Sequence, residues 1–142
     1  MGTEERAKTS PPASFGGVVP SLALKAELGP PRSECGVGAL MAWADRLWAI
    51  SYVSSLRNSG VGTGLYEIDE DLRITKHPES RTGVFTNRFV HFPSNQLIMG
   101  PHVIDAEGKV RTTEGLDMRI GATMTHLFDP ENMVYMLGME GE

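Results

Sequence analysis

From Gly36 onward the chain alternates between short apolar runs and clusters of turn-forming residues. The runs are rich in β-branched and aromatic side chains, which is the pattern of strands in a sheet. In the first part of this region we expect four strands joined by turns, at about 36–43, 47–53, 64–68 and 72–75. No stretch sustains apolar residues at helical spacing between capping residues, so we expect no convincing helix.

The strand pattern repeats along the chain. At three places, two or three polar turn residues open a strand of bulky apolar residues, and the anchors of these strands are Leu47, Leu97 and Val134. The anchors are 50 and 37 residues apart. Self-similarity at such a period indicates a repeat architecture, in which one unit cannot bury its faces alone.

A second element also occurs twice. Residues 65–75 and 101–112 both contain an Ile-Asp pair, then an acidic turn, then a basic and β-branched strand. The two Ile-Asp pairs are 36 residues apart. The carboxylates Asp69 and Asp105 therefore fall in hairpin turns, where Asp favours local hydrogen bonds to the backbone.

The chain from about residue 35 to 142 resembles the β-propeller repeat proteins, with a layout similar to kelch and WD repeats. The WD dipeptide and the kelch double glycine are absent, so no subfamily is assigned. The resemblance implies an all-β fold of antiparallel four-stranded meander units, at about 36–76, 84–113 and a truncated 120–142. Propellers have about four to eight blades, so about two and a half units imply an incomplete, N-terminal part of one. The alternative is a self-contained antiparallel β domain, such as a small sandwich.

The first part of the chain differs from the repeat region, which takes residues 34–142. Residues 1–33 are rich in Pro and Gly and read as a partly disordered leader, because their first stretch lacks large apolar side chains. Within the leader, Val18–Leu24 could form one short edge strand beside Pro20.

Composition and charge limit the function classes. The chain has 142 residues, 40% of them hydrophobic, and a formal charge of −5. Such an acidic balance argues against broad nucleic-acid binding, and no apolar run approaches the roughly 20 residues of a membrane-spanning helix. The single Cys35 excludes an internal disulfide framework and a thiolate zinc cluster. Without a secretory signal after Met1 we expect a cytoplasmic protein, or a secreted or periplasmic one if the true start lies upstream.

The resemblance also implies where a ligand binds, because propeller sites usually lie on the loops between one blade and the next. Those loops are 77–88 and 113–121. The candidate ligand-binding residues within them are Asn87, Arg88, Arg81 and Arg119. A guanidinium group can bind a carboxylate in bidentate fashion and an amide can both donate and accept, which suits a sugar or uronic acid. The alternative is an ordinary solvated loop.

Two histidines occupy matching positions in neighbouring repeats. His91 and His126 each follow a similar strand, and the second copy has two extra turn residues. They are the candidate catalytic residues, because neutral imidazoles facing a shared channel could move protons or bind a divalent metal. No third metal ligand can be named, so no cofactor is assigned; the alternative is ordinary packing or hydrogen bonding. We expect His77 and His102 to be exposed or to lie at an edge.

The leading expectation is a binding or scaffold module. Its partner would be a protein or a small carbohydrate, without nucleic acid or membrane, and unpaired strand edges could allow self-association. The alternative is a carbohydrate-active propeller enzyme, a glycosidase or polysaccharide lyase, or an inactive fragment of one. In that enzyme Asn87 and Arg88 would hold the carboxylate, while His91 or His126 would act as base or metal ligand.

Overall fold

A computed structural model of the chain describes residues 35–53, 63–116 and 118–138. Every regular element in these residues is a β-strand, and the strands pair antiparallel. The expected all-β fold class is therefore confirmed. The leader 1–33, with its expected strand at Val18–Leu24, lies outside the described residues.

The described strands form three sheets that follow one another along the chain. The first sheet contains β1 (Cys35–Trp43), β2 (Arg46–Val53), β3 (Gly64–Ile68) and β4 (Ile74–Lys76). The second contains β5 (Arg88–His91), β6 (Gln96–Met99), β7 (His102–Ile104) and β8 (Val110–Thr112). The third contains β9 (Ile120–Thr125) and β10 (Val134–Gly138). In both four-stranded sheets the strands lie side by side in sequence order, so each sheet is a meander.

The repeat seen in the sequence has the same register in the two larger sheets. Leu47 of β2 lies opposite Ile68 of β3, and Leu97 of β6 lies opposite Ile104 of β7. The two sheets differ in spacing because ten residues separate β2 from β3, whereas two separate β6 from β7. The different spacing of the anchors therefore reflects a longer connection and leaves the pairing unchanged.

The two acidic turns are structural copies of each other. Asp69 donates its N–H to Arg73 O at 3.1 Å, and its Oδ1 accepts the N–H of Arg73 at 2.8 Å. Asp105 makes the same pair of bonds with Lys109, also at 3.1 and 2.8 Å. These contacts confirm that Asp69 and Asp105 form turns through local backbone hydrogen bonds.

The core lies between the first and second sheets and reaches the start of the third. Alternate residues of each strand point to opposite faces, so β2 and β6 each direct one apolar row inward. The largest side chains buried there are Trp48, Ile50, Leu65, Phe85, Leu97, Met99, Ile104 and Ile120. Each contributes about 1.5–3 kcal/mol by leaving water, so the contact between the sheets is a main source of stability.

The first strands of the three sheets lie next to one another. Residues 84–86, which lead into β5, run parallel to the start of β9: Ile120 donates to Val84 O and Thr86 donates to Ile120 O, both at 3.0 Å. On the other side Gly38, at a bulge in β1, comes so close to Phe85 O that a Cβ atom there would overlap this oxygen. The resulting side-by-side order of the sheets is compatible with a propeller-like arrangement.

The turn between β6 and β7 requires glycine. Gly100 has a φ of +59°, and a Cβ atom on it would lie 2.6 Å from Ile50 Cδ1 and 2.9 Å from the Phe85 ring. We expect Gly100→Ala to lower the free energy of unfolding by about 2–4 kcal/mol, because backbone strain and overpacking add. Urea unfolding followed by tryptophan fluorescence measures this loss.

The matched control is Gly115→Ala. Gly115 has a φ of +77°, but no atom lies within 4 Å of the position of its Cβ. This variant tests the cost of the backbone conformation alone. We expect it to lower the free energy of unfolding by about 1 kcal/mol. Equal losses in the two variants would show that the packing around Gly100 contributes nothing.

Candidate functional site

The segments that lead from one sheet to the next meet at one end of the sheets, which we call the loop end. Residues 77–87 lead from β4 to β5, and 113–119 lead from β8 to β9. Because the strands alternate in direction, the short turn 100–101 between β6 and β7 lies at the same end. The segments that the propeller resemblance implies for a ligand, 77–88 and 113–121, therefore adjoin the same end of the sheets.

A polar cleft of about 150 Å³ opens at the loop end. We call it the Arg81 cleft. It is lined by Arg81, Pro101, Thr112, Thr113, Glu114 and Gly115. The cation of Arg81, the carboxylate of Glu114 and the hydroxyl group of Thr113 can form several hydrogen bonds with one polar ligand.

His102 lies beside this cleft and is completely buried. Its Nε2 accepts the backbone N–H of Arg81 at 3.3 Å, and its Nδ1 lies 2.9 Å from Thr112 Oγ1. Since the Thr112 hydroxyl donates its proton to Glu79 O at 3.0 Å, it accepts from Nδ1–H of His102. His102 is thus a neutral imidazole with both nitrogens bonded to protein groups.

The expectation that His102 is exposed or at an edge is wrong. It sits on β7, which has β6 on one side and β8 on the other. Burial, followed by the positive charges of His77 and Arg81, lowers the pKa of His102 to about 4. The ring therefore stays neutral across the physiological pH range.

Asn87 is buried, with only 2% of its surface exposed, and it ties the second sheet to the third. Its Oδ1 accepts the N–H of Gly100 at 3.0 Å, and its Nδ2 donates to Gly100 O at 3.3 Å. Nδ2 also donates to Thr123 Oγ1 of β9 at 2.8 Å. The donor and acceptor capacity that suggested ligand binding is engaged in protein contacts.

The three predicted arginines occupy different environments. Arg81 is exposed and lines the cleft. Arg88 is exposed at the start of β5, opposite Met99 of β6, and Arg119 is half-buried just before β9. The loop end thus contains all four predicted ligand-binding residues, and Arg81 is the one in the lining of the cleft.

His91 is buried at the far end of β5, where it bridges two hairpin turns. Its Nε2 donates to Pro130 O in the turn between β9 and β10 at 2.8 Å, and its Nδ1 lies 2.6 Å from Ser94 Oγ in its own turn. Both ring nitrogens therefore have protein partners, and the ring connects the second sheet to the third.

His126 holds the shape of its own turn. Its Nδ1 accepts the backbone N–H groups of Asp129 at 3.0 Å and Phe128 at 3.3 Å. Its ring also packs against Tyr135, with centroids 4.5 Å apart. As the repeat predicts, His126 matches His91: each immediately precedes the turn between the first two strands of its sheet.

The two candidate sets lie at opposite ends of the sheets. Asn87 precedes β5 and His91 ends it, so the strand separates them by about 13 Å at ~3.3 Å per residue. Arg119 and His126 are likewise separated by the whole of β9. The described residues also contain no group of three or more His, Cys, Asp or Glu side chains that could hold a metal ion.

The sequence did not indicate that Trp43 joins the first sheet to the second. Trp43 ends β1 at the repeat position of His91, and its Nε1 donates to Asp105 O in the second sheet at 2.7 Å. Trp43 and His91 thus each send a ring N–H to a turn of the following sheet. In the sequence, both residues directly precede a hairpin turn. A comparison of the histidines alone misses this shared position because Trp43 is not a histidine.

The comparisons with known proteins give no match: no protein-family model, no curated protein and no solved structure is significantly similar to this chain. Among the described residues there is also no helix long and apolar enough to cross a membrane.

The contacts of Asn87 predict a structural effect. We expect Asn87→Ala to lower the free energy of unfolding by about 2–3 kcal/mol, because it leaves the buried N–H and C=O of Gly100 without partners. The adjacent Arg88→Ala removes an exposed side chain and should change stability by less than about 0.5 kcal/mol. Chemical unfolding measures both, and similar values for the two variants would contradict the assigned role of Asn87.

The buried His102 predicts a dependence of stability on pH. With a pKa of about 4 in the folded chain and about 6.5 in the unfolded chain, the unfolded state binds more protons between these values. This contribution is complete above about pH 6.5 and is lost as the pH falls toward 4, by about 2 kcal/mol at pH 5.

His102→Gln is the comparison, because glutamine cannot titrate. Urea unfolding at about pH 7.5 and about pH 5 should show a smaller loss in this variant than in the unsubstituted chain. Equal losses in both proteins would mean that His102 does not titrate differently on folding.

Proposed function

We propose that this chain is part of a β-propeller-type binding module. The support is architectural: two meander sheets share one register, and the first strands of three successive sheets lie side by side. This is the order in which propeller blades surround a central axis. Fold alone does not assign a ligand. The chemistry of the Arg81 cleft indicates the ligand class.

We propose that the Arg81 cleft binds a small carbohydrate that carries a carboxylate. The observation that carries this proposal is the lining of the cleft, which brings together Arg81, Thr113 and Glu114. A guanidinium group matches a carboxylate in bidentate fashion, and hydroxyl and carboxylate oxygens match sugar hydroxyls. The volume of about 150 Å³ restricts the ligand to a small one.

Binding is favoured over catalysis by the positions of the histidines. His91 ends β5 and His126 directly follows β9, whereas the loop segments adjoin the opposite ends of both strands, so the two rings lie away from the cleft. His102 is beside the cleft, but both of its ring nitrogens are bonded to protein groups. A general base must reach the proton that it removes, and none of these three rings is arranged to do so at the cleft.

The experiment is titration of the ¹⁵N-labelled chain with galacturonate and with galactose, followed by NMR. We expect galacturonate to shift the amide signals of 81 and 112–115, and galactose to bind more weakly because it lacks the carboxylate. Arg81→Ala should weaken galacturonate binding by about tenfold, which corresponds to roughly 1.4 kcal/mol for a charged hydrogen-bonded pair.

The matched control is Arg73→Ala. This arginine is exposed, pairs with Asp71 at 2.8 Å in a hairpin turn, and lies at the other end of the first sheet. The Arg73→Ala substitution removes the same charge from the chain at a position that does not line the cleft. Absence of shifts at the cleft, or equal weakening by the two variants, would overturn the carbohydrate proposal.

A further inference from the structure

We propose a second binding surface: the end of the sheets opposite the loop end docks a basic polypeptide segment that carries apolar side chains. We call this the hairpin end. It consists of the five hairpin turns at 44–45, 69–73, 92–95, 105–109 and 126–133. The proposal is independent of the Arg81 cleft and of its ligand.

The hairpin turns are joined into one surface by contacts between sheets. Trp43 Nε1 donates to Asp105 O at 2.7 Å, which fixes the first hairpin of the first sheet beside the second hairpin of the second sheet. Arg46 also packs over Gly108 in that turn. His91 Nε2 donates to Pro130 O at 2.8 Å, which does the same between the second and third sheets. The turns are therefore held in place relative to one another.

Large apolar side chains project from the tips of these turns. Phe92 is 83% exposed, Phe128 88% and Leu127 74%. Phe92 belongs to the second sheet, which has the first sheet on one side and the third on the other. Phe92 stays exposed in the turn after β5 although its sheet lies between two others. Clustered exposed apolar side chains of this kind mark interaction surfaces.

An apolar groove of about 570 Å³ lies at the same end, between the two hairpins of the first sheet. Its apolar lining includes Trp43, Leu47, Ile68 and Leu72. Leu72 is 63% exposed and has a φ of +60°, a backbone conformation that leucine rarely adopts. The groove can receive one or two apolar side chains of a partner.

The charge of the hairpin end selects among partners. The five turns with Arg46 contain eight acidic and three basic side chains. Two of the cations are already engaged, Arg46 with Glu67 at 3.2 Å and Arg73 with Asp71 at 2.8 Å. Within the described residues, five exposed carboxylates at this end have no ion pair: Asp45, Asp69, Glu70, Glu107 and Glu131.

The apolar groove and the acidic turns together define the occupant. An apolar partner alone would leave the carboxylates facing apolar surface, whereas lysine or arginine beside apolar side chains satisfies both parts of the surface. The same negative charge repels anionic lipid surfaces and nucleic acids. The occupant of this surface is therefore a basic amphipathic segment of a partner protein.

The experiment uses a short fluorescent peptide of leucine and lysine, with a leucine–glutamate peptide of the same length as its counterpart. Fluorescence anisotropy with the full chain should show binding of the lysine peptide alone, weakened by added salt because exposed charges are screened. Glu70→Lys should weaken this binding by about tenfold, because it replaces an attraction at the rim of the groove by repulsion.

The matched control is Glu79→Lys, which changes the net charge of the chain by the same amount at an exposed position of the loop end. It should leave the lysine peptide bound with its original affinity. Equal weakening by the two variants would overturn the proposal, because binding would then reflect overall charge. Binding of the glutamate peptide, or no binding of the lysine peptide, would overturn it as well.

A second pair of variants tests the apolar part. Phe92→Ser should reduce affinity for the lysine peptide about threefold or more, whereas Leu137→Ser, an exposed apolar residue on β10 away from the turns, should not. Circular dichroism verifies that each variant is folded. If light scattering shows that the chain self-associates through Phe92 and Phe128, the occupant is a second copy and the proposed partner is wrong.

Discussion

The arrangement of the sheets depends on a backbone seam at residues 84–86. On one side the seam pairs in parallel with Ile120, and on the other it lies against Gly38 of β1. Because these contacts involve backbone atoms, they fix the spacing between the first strands closely. Phe85 then points into the core, and Asn87 reaches both Gly100 and Thr123. The relative positions of the three sheets follow from this seam.

The hairpin end depends on one repeat position, immediately before the first turn of each sheet. There Trp43 and His91 each donate a ring N–H to a carbonyl of the following sheet, while His126 caps its own turn through Nδ1. Aromatic rings with a polar edge suit this position because the ring can pack against neighbouring side chains while its N–H group donates to a carbonyl. The two matching histidines thus both have structural contacts: His91 joins two sheets, and His126 stabilises its own turn.

The two ends of the sheets have different chemistry, and this difference supports the two binding proposals. The loop end offers a small polar cleft with a cation and hydroxyl groups. The hairpin end offers a wider groove, exposed phenylalanines and an excess of carboxylates. The two ends are separated by about the length of one short strand. The same core of buried side chains therefore supports both surfaces.

The sequence by itself determined the strands, their order and the repeat. Alternating apolar runs and turn residues act locally, so the strands near 36–43, 47–53 and 64–68 could be predicted from the pattern. The tertiary structure decided the environment of each candidate residue, because burial depends on contacts between sheets that are distant in sequence. Asn87 is buried between the second and third sheets, and His91 bonds to a turn of the third sheet. His102 is a buried neutral ring, whereas Arg81 lines a cleft. Residue type and spacing cannot specify these outcomes, since they depend on which sheet covers which face.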